Sequence, residues 1–362
     1  MAVPMTAVVI GKQADIAAFR AVIDEAADSV RYVCLDELAA DIPLEVQFDS
    51  ILAADDVSRV VVLSDGPAAA IAVRRAAQGG LPALFPVPIE TPVAAHYELT
   101  VVAEETGARL SPFWPRLSDP CLPGLLGDGP RSEQRWTSAE ATVGVPLGDD
   151  LLTAADSLQA FAVLERAGFQ PGQVHVVELG PDHLLAVLEC SGGRTARIEL
   201  TRAPEAHFSL KLNDGFSSQW SWSAQGGCRF LCAGSLEKTA QDHTSVWLAE
   251  RTLRFFLRGG EVNEAADWSE AVAAIQVADA AVESRQRRRA VPVVRALASR
   301  ETVFRATMAI WGCGLLWLVV LMLPLIGLLQ FLGVRHTRPL AIGLLALLVL
   351  FLLAQFLRPP NR

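Results

Sequence analysis

The stretch VVVLSDGPAAAIAVRRAAQGGLPALFPVPIE, residues 60–90, decides the fold. It opens with four aliphatics, Val60 to Leu63. A run that apolar suits a strand covered on both faces of its sheet. Ser64-Asp65-Gly66 breaks the run as a turn. Residues 68–78 are alanine-rich and read as a helix, and Gly79-Gly80 stops it. Ala83 to Phe85 then forms a second short strand. Strand, helix and strand in this space form a βαβ crossover, which implies parallel pairing.

The flanks repeat the unit. Upstream, residues 6–10 (TAVVI) form a strand ending at Gly11. Ile16, Phe19, Ile23 and Ala27 then keep helical spacing. Residues 30–35 form a second strand ending at Asp36, and FDSILAADD (48–56) a small helix. Downstream, residues 92–106 are another helix and Arg109 starts a fifth strand. Strands alternating with helices at this spacing predict a Rossmann-like, doubly wound parallel sheet over residues 1–120.

Residues 112–142 change character, with five prolines (Pro112, Pro115, Pro120, Pro123, Pro130), and read as a long connection. Residues 151–167 form a helix. From Gln173 the apolar period switches to two, in VHVVELG, HLLAVLEC, TARIELTR, FSLKLN, QWSWSA and CRFLCAG. Turn residues separate these runs, predicting an open-faced antiparallel meander of about six strands. Helices over 243–257 and 268–284 complete an α+β domain spanning 121–293. Trp220 and Trp222 fall on one strand face, for packing in a core or dimer ahead of a sugar-stacking platform.

The tail differs again. Residues 1–284 carry net charge −19, and residues 285–362 carry +10. An acidic body with a basic, apolar tail excludes a nucleic-acid binder and points to a domain fixed to a membrane. After a basic linker (294–305), residues 306–332 and 339–357 form two runs without a charged residue. Each is long enough for a bilayer, which takes ~20 apolar residues, so both read as transmembrane helices. The missing charges give no sign of a transport path. Seven arginines (285, 287, 288, 289, 295, 300, 305) precede the first span. The positive-inside rule therefore puts the body and the C-terminus in the cytoplasm, at the inner membrane. The start, MAVPMTAVVIGK, lacks the pattern of a signal peptide. Cys228-x3-Cys232 has no second pair, and the histidines lack ligand spacing, so no metal site is expected.

The assembled pattern resembles the glucose–fructose oxidoreductase/inositol dehydrogenase/rhizopine-catabolism (Gfo/Idh/MocA) family of NAD(P)-dependent sugar dehydrogenases. Four segments carry the resemblance. FDSILAADDVSRVVVLSDGPAAAIAVRRAAQGG is similar to the family's strand–turn–helix with its glycine stop. GLPALFPVP resembles GKHVLCEKP, and TGARLSPFWPR the strand that ends in an arginine. AVAAIQVADAAVESRQRRRAVPV resembles the closing helix. Residues 7–293 are covered.

The resemblance implies NAD or NADP, a sugar-type ligand, and a homo-oligomer formed through the second domain's sheet. It assigns cofactor contacts to Gly11, Lys12, Asp36, Ser64, Asp65 and Pro88. Asp36 matches the acid that bonds the adenosine ribose. In the first turn, Gln13 and Ile16 replace the fingerprint's small residues, and Asp15 adds charge beside the phosphates. The family's lysine falls on Val87, its aspartate on Thr153 and its histidine on Ser157. Asp156, beside Ser157, points ~100° away on a helix. No lysine lies between Lys12 and Lys211, and no histidine between His96 and His175. Alcohol oxidation needs a base as hydride leaves, so no catalytic residue is assigned. The reading is a catalytically degenerate, membrane-tethered module that binds nucleotide or saccharide, or acts as a scaffold. The alternative is an active NAD(P)-dependent enzyme with a rearranged site on a membrane-linked or sugar-derived substrate.

Overall fold

A computed structural model describes residues 6–54, 56–89, 94–119, 122, 136–148, 150–213, 217–223, 227–232, 237–238, 244–259 and 267–295. The two apolar runs at 306–332 and 339–357 lie outside the described residues. Among the described residues, no helix is long and apolar enough to cross a membrane.

The first sheet is built from β1 (Thr6–Gly11), β2 (Ser29–Cys34), β3 (Val57–Val62), β4 (Ala83–Phe85) and β5 (Leu110–Pro112). All its pairings are parallel, in the order β2-β1-β3-β4-β5. The connecting helices are α1 (Gln13–Ala26), α2 (Leu44–Leu52), α3 (Pro67–Gln78) and α4 (Ala94–Thr106). Every β1 residue is buried, because the strand has a core on each face. Val8 and Ile10 join the large cluster containing the α3 alanines. Ala7 and Val9 join a smaller one with Val22 and Ile23 of α1. α3 starts at Gly66, which takes φ 103°, followed by Pro67 in the first turn. That φ favours glycine, and proline suits a position whose N–H has no helical acceptor. Ala69, Ala72, Ala76 and Ala77 are fully buried, so the small side chains seat α3 close to the sheet.

The second sheet corrects two expectations. It has nine strands in the order β13-β12-β11-β10-β6-β9-β8-β7-β14, and it is mixed: β6 (Ser138–Val145) runs parallel to β9 (Thr195–Arg202). The other strands are β7 (Pro171–Gly180), β8 (His183–Cys190), β10 (His207–Asn213), β11 (Ser217–Ser223), β12 (Gly227–Cys232), β13 (Glu237–Lys238) and β14 (Val291–Pro292). β6 comes partly from the stretch taken as a long connection. Its buried side chains include Ala139, Ala141 and Val143, and the alanines muted its period-two signal. The antiparallel pairings from β7 through β9, and from β10 through β12, match the expected meander.

Two helices pack beside this sheet, α5 (Ala155–Arg166) and α7 (Trp268–Arg287). Asp267 and Glu270 form a capping box on α7. Glu270 also accepts from Nε and Nη2 of Arg166, at 2.7 and 2.8 Å. The helix between them in sequence, α6 (Ser245–Leu257), packs on the first sheet. Leu253 and Phe256 join Ala7 and Val9. Arg59 of β3 donates to the carbonyls of Phe256 and Leu257, capping the open end of α6.

Candidate functional site

In an open α/β sheet, ligands enter where the strand order reverses, beyond the carboxyl ends of the strands. Here that point lies between β1 and β3, with α1 and α3 on opposite faces. Gly11 ends β1. A Cβ at Gly11 would stand 3.3 Å from both Leu63 Cβ and Ser64 Oγ, so glycine allows the two turns to meet. The Gly66 N–H donates to Ile89 O at 3.1 Å, joining the turn after β3 to the loop after β4. Gly11, Lys12, Ser64, Asp65 and Pro88 thus share one carboxyl edge. Asp36 reaches the same edge from the end of β2.

What these residues do there is specific. A single residue, Lys12, separates β1 from α1. The Lys12 N–H donates to Ser64 Oγ at 2.8 Å, and that hydroxyl donates to Asp15 Oδ2 at 2.6 Å. The Gln13 N–H donates to Asp36 Oδ2 at 3.3 Å. Ser64 is buried; Lys12, Asp36 and Asp65 are exposed. A dinucleotide pyrophosphate needs free amides and positive field at this helix end. Two of the amides are already bonded, and Asp15 and Asp36 set negative charge against them. These residues do not fit the pyrophosphate. Beside them, a cavity of about 230 Å³ is lined by Gln13, Ile16, Ala17, Arg20, Tyr32, Cys34 and Glu37. Arg20 lies 4.9 Å over the Tyr32 ring. Burial, with the bond from its hydroxyl to Asp24, raises the Tyr32 phenol pKa.

At the positions to which the resemblance assigns proton transfer, the residues are packed or bonded within the protein. Val87 is 1% exposed, its carbonyl accepts from Trp114 Nε1 at 3.1 Å, and its bond to Pro88 is cis. Ser157 is fully buried and donates to Leu151 O at 2.6 Å. The Thr153 N–H donates to the Asp150 carboxylate at 3.2 Å.

A polar cluster that sequence reasoning missed stands close by. Arg116 lies in the 3₁₀ turn Pro115–Ser118, two residues beyond Trp114. Its guanidinium pairs with Asp156 of α5 at 2.7 Å and stacks 3.8 Å from the Trp222 ring centre. Burial lowers its pKa, and Asp156 opposes that shift. Arg116 Nη1 and Trp222 Nε1 are buried without a hydrogen-bond partner. Arg166 holds the turn through Leu117 O at 3.1 Å, and Thr252 holds it through Ser118 Oγ at 3.1 Å. Arg116 closed one of the resembling segments, and Asp156 stood beside Ser157. Nothing local in the sequence joins them across 40 positions.

Comparison with solved structures places this fold among dehydrogenases. An oxidoreductase from Pseudomonas syringae superposes with TM-score 0.61 at 10% identity, over 80% of this chain and 99% of that one. Scyllo-inositol dehydrogenase from Lactobacillus casei, solved with NAD(H) and scyllo-inositol, gives 0.59 at 12% identity, over 80% and 99%. An inositol dehydrogenase homologue from Azotobacter vinelandii, in complex with NAD+, gives 0.60 at 12% identity, over 81% and 98%. No protein-family model and no curated protein matches the chain. At these identities the likeness is one of fold.

Proposed function

We propose that this chain is a catalytically silent protein of the Gfo/Idh/MocA type, a binding module for a sugar-type ligand. Residues 306–332 and 339–357 hold it at the cytoplasmic face of a membrane. One observation carries the reading. The positions that would move the substrate proton hold Val87, Thr153 and Ser157, and none of these can act as a base near neutral pH. The binding half draws on Arg116, Trp222 and Asp156. Two buried donors lacking an acceptor, beside a carboxylate, suit a hydroxyl-bearing ligand, which donates and accepts at once. The open face of the second sheet is the surface we propose for self-association.

The test is turnover. Full-length protein in detergent is mixed with NADH or NADPH and a panel of sugars, polyols and their ketones, and nicotinamide absorbance is followed. No change beyond a protein-free control is expected; hydride transfer with any substrate would sink the proposal. Polyol binding read by calorimetry should weaken in Arg116→Gln. A second reading, an active enzyme with a rearranged site, draws on Asp156 as the carboxylate nearest the lost histidine position. Asp156 is committed to Arg116, so this reading requires the ion pair to open when substrate enters.

A further inference from the structure

We infer that the amino end of α1 is sealed by the protein's own side chains, so that this crevice excludes dinucleotide phosphates. Ser64 Oγ and Asp36 Oδ2 take two amides that a phosphate would use, and Asp15 Oδ2 holds the Ser64 hydroxyl in place.

The bonds engage the first two amides of this end, those of Lys12 and Gln13. A helix begins with backbone N–H groups that lack a helical acceptor. Ser64 Oγ takes the Lys12 amide and spends its own proton on Asp15. Asp36 takes the Gln13 amide. A phosphate entering here must displace a hydroxyl and a carboxylate together, leaving buried Ser64 and its partner Asp15 to find new bonds. Charge acts in the same direction. The positive end of a helix dipole attracts anions, but two carboxylates already sit on it, and Asp65 is on the same edge. Lys12 is the one cation in the turn. Sterics add to this. The fingerprint needs a small residue where backbone approaches phosphate, and Gln13 stands there; at the third small position, which serves helix–strand packing, Ile16 packs inward, 5% exposed. The acid expected to bond an adenosine ribose is thereby reassigned, as Asp36 caps α1.

None of these residues is among the three positions to which the resemblance assigns proton transfer, so this inference and the proposed function fail separately. Dinucleotide binding without turnover would overturn the seal and leave the silent reading standing.

The experiment uses full-length protein in detergent, with inorganic pyrophosphate, NADH and NADPH as probes. Calorimetry and thermal unfolding of the wild type should show no saturable binding and no rise in Tm at millimolar ligand. The double variant Asp15→Asn, Asp36→Asn keeps the side-chain shapes and removes both charges. It should bind pyrophosphate at least about tenfold tighter than wild type, the scale expected for two charges removed from a helix amino end. Ser64→Ala, which frees the Lys12 amide, should gain more weakly and serves if the double variant does not fold. Saturable binding of any probe to wild type overturns the inference. So does a folded variant, judged by its circular-dichroism melt, that gains nothing.

Discussion

Arg116 meets Asp156 at 2.7 Å while its guanidinium stacks on the ring of Trp222, and both charged side chains are largely withdrawn from solvent. Desolvating two charges costs about what their attraction returns, so such a pair adds little net stability. Removing one partner is different, because a buried charge is left uncompensated. Asp156→Ala should therefore cost about 3 kcal/mol or more. It would be read as a lower urea midpoint with unchanged slope. Replacing both, Asp156→Leu with Arg116→Met, should recover most of that loss. A single-variant loss below about 1 kcal/mol would class the pair with surface ion pairs.

Gly144 on β6 faces His207 on β10 directly. A Cβ at Gly144 would lie 2.1 Å from His207 Nδ1 and 2.9 Å from Ala203 Cβ. Gly144→Ala must push the imidazole aside and strain the Ala203 turn, which is tied to β6 by its amide on Val145 O at 3.1 Å. Overpacking of this kind costs about 1–3 kcal/mol. His207→Ala should rescue most of the loss but not all, since Ala203 still crowds the site. A double-mutant cycle on urea midpoints would show the coupling. Simple addition of the two effects would mean that His207 leaves the glycine without cost.

The Cys190 thiol is buried, and burial pushes its pKa from 9.0 up to about 11, against the opposing influence of Arg194 and Arg295. The sign follows from linkage. Between those two values the unfolded chain releases the proton while the folded chain keeps it. Stability is therefore unaffected below the unfolded value and falls as pH climbs through the window. Tyr32 contributes a similar alkaline loss, so the measurement is a difference between wild type and Cys190→Ala. Wild-type stability should fall faster than the variant's between pH 9 and about 11. Parallel curves would show that the thiol titrates as it does in the unfolded chain.

The parallel sheet was legible because its strands and helices announce themselves locally. Val60 to Leu63 is apolar on both faces, and Gly66-Pro67 and Gly79-Gly80 bracket α3. The meander was legible from its period of two. β6 was not, because Ala139 and Ala141 carry weak strand preference and proline-rich chain precedes them. Its parallel partner β9 lies more than 50 residues away, a pairing no local pattern encodes. At the site, the family resemblance singled out Gly11, Lys12, Asp36, Ser64, Asp65 and Pro88, and they fall along one edge of the sheet. Their hydrogen-bond partners were not legible. Whether Asp36 faces a ribose or turns back to the Gln13 amide depends on the one-residue connection at Lys12, whose effect is three-dimensional. The Arg116–Asp156–Trp222 cluster joins three elements far apart in sequence, and only packing brings them together.

On the proposed reading, a lysine at position 87 tests whether the site is one substitution from chemistry. Val87 is 1% exposed and packed within the large core cluster, so Val87→Lys would set an ammonium among apolar side chains. Asp156 on α5 is paired with Arg116, Ser157 already donates to Leu151 O, and Thr153, just before the helix, is held by Asp150. Burying an unpaired polar group costs on the order of 2 kcal/mol or more. The variant should show a lower urea midpoint and no hydride transfer from NADH to any sugar ketone. The wild-type environment of Val87 is built for an aliphatic side chain, and recovering a base would require Thr153 and Ser157 to change with it. A stable Val87→Lys protein that turned over substrate would show instead that the proton acceptor was the only part lost.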